Sequence, residues 1–332
     1  MKSVNPIAQS LTVALCVTGC ALSALSALSA NAADYPTKAI QIIVPLPPGG
    51  PSDLIARLYA DHLQKEMKVN AVVENRPGAG TIVGAVAAKN APPDGHTLLM
   101  TSIGLVTSVF MVKDLPYDPI KDFTPVSRVS EAIAFLLVNS AVPANNLTEL
   151  VRYLKANPGK LSFGYAGSGL LWSMRFLKET GIAPASIVSV PYPGGAKMGP
   201  ALASGEVQFT FDHCTGACKA SLATGKIKML GAGSEQRDPE FSSVPTFQES
   251  GFKDFTTVAW QGIVAPAGTP PDIVDRLAAS VKSMLRQPDT QKRLEGLGLV
   301  AVGSTAAEFR RRLQDDLVRW KEVADFGGLK PQ

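Results

Sequence analysis

Apolar and polar positions alternate along the first third of the chain with two different periods. Short runs rich in branched residues, such as "AIQIIVPL", have the composition of buried strands. Between them, apolar residues recur at the spacing of an amphipathic helix. This order predicts strands over residues 39–46, 70–75 and 96–101 and helices over residues 52–67 and 81–90. Such an alternation is the beginning of a doubly wound α/β sheet.

The alternation resumes after a proline-rich stretch. Residues 115–130 are predicted to be a connector, and the apolar run at residues 131–140 to be a buried strand that crosses between two domains. A second α/β set follows, with helices over residues 147–156, 170–180, 197–204 and 215–224 and with strands in the segments 160–169, 186–195, 207–212 and 227–234. A further strand at residues 259–270 and helices at about residues 271–286 and 306–326 complete the pattern.

The composition fits a folded protein of about two domains. Of the 332 residues, 45% are apolar and 18% are charged, which argues against disorder. The net charge of +4 is small for this length and no long run of Lys or Arg occurs, so we expect no nucleic-acid partner.

Residues 1–32 have the pattern of a secretory signal peptide. Lys2 precedes an uncharged stretch rich in Ala, Leu, Ser and Val, which ends in the small-x-small sequence Ala30-Asn31-Ala32. We therefore expect export to the periplasm, and we favour cleavage at this site over a membrane anchor. The lipobox-like sequence before Cys20 is the less favoured cleavage site, which would leave a lipid-anchored protein.

Cleavage after residue 32 would leave Cys214 and Cys218 as the cysteines of the mature chain. In an oxidising compartment these two could pair, although their spacing closes a very short loop. Zinc would need more ligands than these thiols and His213 supply. A disulfide or two free thiols is therefore the preferred interpretation, and we expect no metal and no cofactor.

Small-residue loops follow several predicted strands, at residues 47–52, 77–80, 101–104, 166–169 and 191–195. In open α/β sheets, ligands bind outside the carboxyl ends of the strands. Glycine lets the backbone approach a ligand closely, and the first N–H groups of a helix suit an anion because they have no partner within the helix. The loops together predict an anion-binding cleft.

Motifs that would indicate an enzyme are incomplete. The sequence "GAGTIVG" is one residue too long for the dinucleotide fingerprint, no P-loop lysine is present, and "GSG" at residues 167–169 lacks the pattern of a nucleophile elbow. Of the histidines outside the signal segment, His62 lies in a helix pattern and His96 follows a turn, whereas His213 stands at a strand end. With no catalytic set, a two-domain receptor that closes on a solute becomes the favoured class.

The chain resembles the Bug-type (TctC-like) periplasmic solute-binding receptors of tripartite tricarboxylate transporters. The resemblance rests on an ordered set of segments that spans nearly all of residues 35–315, including "IVPLPPGGPSDLIAR", "VVENRPGAG", "APPDGHTLL", "GYAGSG", "VPYPGG" and "GIVAPAGTP". It implies a two-domain Venus-flytrap fold in which each domain is a mainly parallel sheet flanked by helices, joined by crossing strands. On this basis we expect domain 1 at residues 34–133 plus 259–332 and domain 2 at residues 134–258.

The resemblance also implies that main-chain amides from loops of both domains hold a ligand carboxylate. By match to the family pattern, the ligand-binding residues would be Pro48, Gly49, Gly50, Ser52, Asp53, Thr101, Ser102, Ala166, Gly167, Ser168, Gly169, Tyr192, Gly194, Gly195 and Asp212. Asp212 stands where related receptors meet the variable end of the ligand.

Departures from the family pattern make the second-domain wall more apolar and aromatic. Pro51 replaces a hydroxyl residue and removes an N–H group, Pro193 replaces a lysine, and Leu170 replaces a threonine. We hypothesise that the carboxylate ligand is aromatic or otherwise apolar, that Trp172 packs against it, and that Asp212 or His213 reads its distal group. An alternative interpretation places Trp172 in the core.

The expected function is therefore capture of a small organic carboxylate by a monomer and its delivery to the permease subunits of a tripartite transporter, with no catalytic residues. Two alternatives remain open. One is a secreted esterase that uses Ser52 or Ser168. The other is a ligand-sensing partner of a membrane sensor kinase.

Overall fold

The structure is a computed structural model that describes residues 35–192 and 194–331. Contacts divide the chain into a unit of residues 1–37, of which only residues 35–37 are described, and a unit of residues 38–332 that holds both sheets. The predicted signal peptide at residues 1–32 and the lipobox cysteine Cys20 lie outside the described residues.

The strands come in two groups along the chain. In the described residues they are β1 (Ile40–Val44), β2 (Ala71–Asn75), β3 (Thr97–Ser102), β4 (Phe123–Ile133), β5 (Phe135–Asn139), β6 (Ser162–Tyr165), β7 (Val188–Pro191), β8 (Phe209–Asp212), β9 (Ile227–Ala232), β10 (Val258–Pro266) and β11 (Val300–Ala301).

The α-helices lie between these strands and at the end of the chain. They are α1 (Pro51–Met67), α2 (Ile82–Lys89), α3 (Gly104–Thr107), α4 (Leu147–Ala156), α5 (Gly169–Thr180), α6 (Gly195–Ser204), α7 (Gly216–Ala223), α8 (Pro271–Leu285), α9 (Pro288–Gly296) and α10 (Ala306–Phe326). Most begin and end within two residues of the predicted bounds, whereas the short helix α3 and the helix α9 were not predicted.

Two sheets organise the fold. The first has the strand order β11-β4-β10-β3-β1-β2 and the second has the order β7-β6-β8-β5-β9. We call each sheet with its helices a lobe. The predicted α/β class is confirmed, but the sheets are mixed rather than mainly parallel. Strands β1, β2 and β3 are parallel and so are β6, β7 and β8, whereas β4, β5, β9, β10 and β11 pair antiparallel to their neighbours.

Crossing segments near Ala134, Gly233 and Thr257 join the two sheets. The N–H of Ala134 donates to the carbonyl of Thr257 (2.8 Å), the N–H of Gly233 donates to the carbonyl of Ala134 (3.0 Å), and the N–H of Thr257 donates to the carbonyl of Gly233 (2.8 Å). A side chain at Gly233 would collide with the Thr257 hydroxyl and lie 2.8 Å from the Ala134 carbonyl oxygen. The close approach therefore requires glycine at this position.

The predicted connector at residues 115–130 is wrong in its second half, because strand β4 begins at Phe123. Pro125 suggested a break, since proline cannot donate a hydrogen bond within a sheet. It is tolerated because it lies beside an irregularity in the pairing of β4 with β10, where the register shifts between Ile263 and Val264. The other neighbour, β11, pairs with β4 only farther along, at Ser130 and Glu131.

The last helix, α10, begins with a capping box and lies against both lobes. Thr305 and Glu308 each accept a hydrogen bond from the other's main-chain N–H. Asp316 is fully buried and accepts a hydrogen bond of 2.7 Å from the indole N–H of Trp260 on β10. At the second lobe, Lys178 on α5 pairs with Glu322 at 2.8 Å. Among the described helices, none combines the length and the apolar character needed to span a membrane.

Candidate functional site

A cavity of about 450 Å³ lies between the lobes. The first lobe contributes the start of α1, parts of β4 and β10, and the turn after α9. The second lobe contributes helices α6 and α7 and parts of β5, β8 and β9. The lining residues are Pro51, Ala132, Leu137, Gly195, Met198, Gly199, Leu202, Thr210, Asp212, His213, Thr215, Ala217, Cys218, Ser221, Ile227, Ala259, Gln261, Leu297, Gly298 and Leu299.

The loop before α1 is held by an acid from the helix itself. Asp53 is 2% exposed. Its carboxylate accepts hydrogen bonds from the N–H of Gly49 (2.9 Å), from Nδ2 of Asn75 (2.9 Å) and from the guanidinium of Arg57 (3.0 Å to each oxygen). Gly49 has a φ of 89°, in the left-handed region that favours glycine. The predicted ligand residues Asp53 and Gly49 therefore satisfy one another.

The pKa of Asp53 reflects the same contacts. Burial by itself would raise this pKa, but the hydrogen bonds from Arg57, the N–H of Gly49 and Asn75, together with the charge of Arg57, lower it below its ordinary value. Asp53 is thus ionised at neutral pH and anchors the loop.

Pro51 lines the cavity at the first position of α1, preceded by Gly50 in an extended conformation. Proline fits this position because its missing N–H would have no partner within the helix. The next two N–H groups, of Ser52 and Asp53, also lack a partner within the helix. They leave the start of α1 with two main-chain donors.

The end of β3 places Thr101 and Ser102 beside the crossing strand β10. Ser102 pairs directly with Gln261 of β10, so their side chains share one face of the sheet. Close by, a side chain at Gly104 would lie 3.4 Å from the Ser102 hydroxyl and 3.9 Å from the Thr81 hydroxyl. Thr81 has a φ of 90°, a strained conformation for a β-branched residue. Strain of this kind clusters at functional sites.

The second-lobe loops end together because β6, β7 and β8 are parallel neighbours. The loop at residues 166–169 follows β6 and lies beside the end of β8. A side chain on Gly169 would be 3.2 Å from the carbonyl oxygen of Phe211. Its main chain is used internally, since the N–H of Gly169 donates to the carbonyl of Ala166 (3.0 Å). It follows that this loop offers fewer free donors than its glycines suggest.

Tyr192 lines a surface depression that is separate from the cavity between the lobes. Its hydroxyl donates to the carboxylate of Glu206 at 2.7 Å, and both residues line a separate surface depression beside α6. Burial and the hydrogen bond to Glu206 raise the pKa of Tyr192 to about 12. This side chain is a neutral donor committed to Glu206.

Asp212 is the last residue of β8, and its side chain lies beside the start of helix α6. One carboxylate oxygen accepts a hydrogen bond of 2.8 Å from the N–H of His213. The other lies so close to α6 that a side chain on Gly195 would be 2.8 Å from it. Burial raises the pKa of Asp212, and the charge and N–H of His213 counter this only in part. The carboxylate is therefore short of partners.

His213 lies between the cavity and Trp172. Its Nδ1 is 3.0 Å from the carbonyl oxygen of Ile133. A carbonyl only accepts, so Nδ1 carries the hydrogen and Nε2 is an acceptor when the ring is neutral. The ring lies nearly perpendicular to that of Trp172, with 5.7 Å between the ring centroids. Trp172 is 2% exposed, does not line the cavity, and has an indole N–H with no partner, so a ligand in the cavity would contact His213 first.

Cys214 and Cys218 form a disulfide at the start of α7. Cys218 lines the cavity, so the bridge is part of the second-lobe wall. Within the described residues, no group of three or more His, Cys, Asp or Glu side chains could hold a metal ion.

Gln261 is the main polar lining residue that sequence reasoning missed. Its Oε1 is buried without a hydrogen-bond partner. The available signal was a single amide in the otherwise apolar strand "VAWQGIVAP". The turn at residues 297–299 was missed as well, because it follows the unpredicted helix α9.

The cavity thus brings together only some of the predicted residues. Gly195, Asp212 and His213 line it, next to Pro51 and Cys218. Of the described residues, the other predicted ligand contacts lie outside this lining: Pro48, Gly49, Gly50, Ser52, Asp53, Thr101, Ser102, Ala166, Gly167, Ser168, Gly169, Trp172, Tyr192 and Gly194.

Two α/β lobes joined by crossing segments around a cavity define a periplasmic-binding-protein fold. Residues 55–329 match the family model described as "Tripartite tricarboxylate transporter family receptor". The chain belongs to this TctC family.

Relatives and solved structures agree with the family assignment. Protein BugT of Bordetella pertussis is 30% identical over 326 residues, which cover 96% of this chain and 99% of that protein. An R. palustris protein solved with adipate is 31% identical, with a TM-score of 0.73 over 90% of this chain and all of that one. MatC from Rhodopseudomonas palustris with bound malate is 30% identical, with a TM-score of 0.70 over 87% of this chain and all of that one.

Proposed function

We propose that this chain is a periplasmic receptor that captures a small organic carboxylate between its lobes and delivers it to the membrane subunits of a tripartite tricarboxylate transporter. The observation that carries the proposal is the cavity lined by both lobes, with a helix N-terminus on each side, at Pro51 and at Gly195. The family supports it, as do two related structures with bound adipate and malate.

The ligand carboxylate would bind at the start of α1. The main-chain N–H groups of Ser52 and Asp53 have no partner within the helix, and the helix dipole favours an anion there. The N–H of Gly49 is already donated to Asp53, so it holds the loop rather than the ligand. Recognition would then rest on neutral main-chain donors that are fixed in place by the buried acid.

The body of the ligand would be apolar. Met198 and Leu202 on α6 face Leu297 and Leu299 of the first lobe across the same cavity. An aromatic ring would fit this environment and would contact His213, with Trp172 behind it. Closure of the lobes would bury this apolar surface, which favours the bound state.

We propose binding without turnover. A serine nucleophile needs a base within hydrogen-bond reach. His213 contacts the carbonyl of Ile133 through Nδ1, and His62 contacts Gln287 through Nδ1 at 3.0 Å. Among the described residues, neither Ser52 nor Ser168 makes a side-chain hydrogen bond to a histidine.

Thermal unfolding with a panel of mono-, di- and aromatic carboxylates tests the proposal on protein stripped of co-purified ligand. A ligand at 100 times its Kd should add about 2.7 kcal/mol to the free energy of unfolding. Methyl esters of the same acids, which lack the anion, should add much less. A flat result across the acids would contradict the proposal, and conversion of any ligand observed by NMR would indicate an enzyme.

A pair of variants tests whether the cavity is the binding place. Gly199 on α6 lines the cavity and Gly216 on α7 does not, and a side chain at either position meets no atom within 4 Å. Gly199→Leu should abolish the ligand-induced stabilisation by filling the cavity, whereas Gly216→Leu should retain it. Equal behaviour of the two variants would place the ligand elsewhere.

A further inference from the structure

The described lining of the cavity includes an acidic side chain but no lysine or arginine. Among the described residues that line it, Asp212 and His213 are the ionisable side chains, since Cys218 is bridged, and no lysine or arginine is present. A receptor for a ligand with an anion at each end would be expected to supply a cation for the second anion. The cavity supplies a carboxylate instead.

Asp212 makes the start of α6 unsuitable for a ligand anion. Its carboxylate lies against Gly195, at the positive end of the helix dipole. A second carboxylate placed here would meet a like charge in a buried setting, which is unfavourable. The acid end of a ligand is therefore directed to the other helix start, at Pro51.

Three hydrogen-bond acceptors belong to residues that line the same cavity. One oxygen of Asp212 has no hydrogen bond from the His213 N–H, which goes to the other oxygen. Gln261 Oε1 is buried with no partner, and a buried acceptor without a donor costs free energy. The third is Nε2 of His213 in the neutral ring, because Nδ1 then donates its hydrogen to the carbonyl of Ile133.

We propose that Asp212, Gln261 and His213 form a subsite for a protonated amino group, so that the ligand is a carboxylate with an amino group at its far end. This rests on the proposed function for the carboxylate end. An ammonium has three N–H donors and a positive charge, which matches three acceptors of which one is an anion. A hydroxyl would offer one donor and no charge. Because Asp212 and His213 belong to the second lobe and the start of α1 to the first, the amino group is distal rather than on the carbon next to the carboxylate.

Calorimetry with a matched six-carbon series tests the subsite: 6-aminohexanoate, hexanoate and adipate. A second pair, 4-(aminomethyl)benzoate and 4-methylbenzoate, repeats the comparison on a ring. We expect the amino member of each pair to bind at least about tenfold more tightly than its plain counterpart, and adipate to bind more weakly than 6-aminohexanoate. Equal or tighter binding of the plain acids would overturn the inference and leave the proposed function standing. Binding of none of these acids would contradict both.

Variants separate charge from structure. Asp212→Asn keeps the shape and should lose at least about tenfold in affinity for 6-aminohexanoate while holding or improving the affinity for hexanoate and adipate. Gln261→Glu should hold or strengthen binding of 6-aminohexanoate, because it keeps an oxygen acceptor and adds negative charge. Gly216→Ala, on α7 but outside the cavity lining, should leave the preference unchanged.

Two results with these variants would contradict the proposed subsite. Equal losses for amino and plain acids in Asp212→Asn would show a structural role and overturn the inference. Loss of 6-aminohexanoate binding in Gln261→Glu would show that the amide N–H, not Oε1, faces the ligand, and would overturn it too. Circular dichroism of each variant establishes that the comparison is made on folded protein.

Discussion

The start of α1 and the end of β8 contain the same chemical parts and use them differently. Each has an acid close to a glycine at a helix N-terminus. At α1, Asp53 is buried and accepts hydrogen bonds from Gly49, Asn75 and Arg57. At β8, Asp212 accepts one hydrogen bond, from the neighbouring His213 N–H, and lies on the cavity.

This difference separates groups that hold a loop from groups available to a ligand. The hydrogen bonds to Asp53 lower its pKa, whereas burial raises the pKa of Asp212 because too few partners compensate for the lost water. An acid whose bonds are complete stabilises the protein, and an acid whose bonds are incomplete is a candidate for recognition. The first region is therefore expected to respond to mutation in stability, and the second in ligand affinity.

The largest effect on stability is expected at Trp172, which packs against His213 next to the end of β8. Trp172→Ala should lower the free energy of unfolding by about 4 kcal/mol, because a buried ring would leave a cavity in the core. Trp172→Phe, which keeps a ring and removes the unpartnered indole N–H, should cost much less and leave carboxylate affinity unchanged. Urea unfolding and calorimetry measure both quantities. A folded Trp172→Phe variant with strongly reduced affinity would show direct contact of the indole with the ligand.

Removal of the Asp53 carboxylate should have the next largest effect. Asp53→Ala should lower the free energy of unfolding by about 3 kcal/mol, since it leaves the Gly49 N–H and the Asn75 amide without their acceptor. The ion pair with Arg57 adds little, because that guanidinium side chain is 51% exposed.

Asp61 is the matched control for Asp53. It lies on the exposed face of the same helix. Asp61→Ala should change stability by no more than about 0.5 kcal/mol in the same urea titration. Equal effects of the two substitutions would remove the distinction between the two regions.

Gly195 tests the second region through affinity. Gly195→Ala would place a side chain 2.8 Å from the Asp212 carboxylate, so the acid must move and ligand affinity should fall about tenfold. Gly216→Ala adds the same methyl group to the neighbouring helix in open space and should leave affinity unchanged. If calorimetry finds wild-type affinity in Gly195→Ala, the position of Asp212 is irrelevant to binding.

The sequence predicted the elements well where local signals agree with packing. Helix α4 has the predicted bounds, and its start is fixed by the Asn146 side chain, which accepts from the N–H of Glu149. Strand β4 was mistaken for a connector because Pro125 argues against a strand, and the irregular pairing that tolerates it depends on a partner far along the chain.

The site was harder to predict. Loops at strand ends contain glycines and acids both where these residues stabilise the loop and where they bind a ligand. The spacing of Asp53 and Arg57, four residues apart on a helix, was a signal that this acid would be paired internally. No comparable signal marks Asp212 as incompletely bonded. Asp212 is incompletely bonded because none of the described residues that line the cavity is a lysine or an arginine. Which residues line the cavity is known only from the folded structure.

The smallest effect is a dependence on pH at Asp212. Because burial raises its pKa, against the opposing charge and N–H of His213, the native state keeps a proton that the unfolded state releases above the ordinary carboxyl value of 3.8. The stability that this group contributes is thus complete below that value and is lost as the pH rises through the raised native pKa. Asparagine does not titrate, so the Tm of Asp212→Asn relative to that of the wild type should increase as the pH rises above about 4. His213 is the other ionisable lining residue, and the same scan on a His213→Gln background isolates the carboxylate. A Tm difference that stays constant or shrinks with rising pH would mean that His213 and the start of α6 already compensate the charge, and Asp212 would then resemble Asp53.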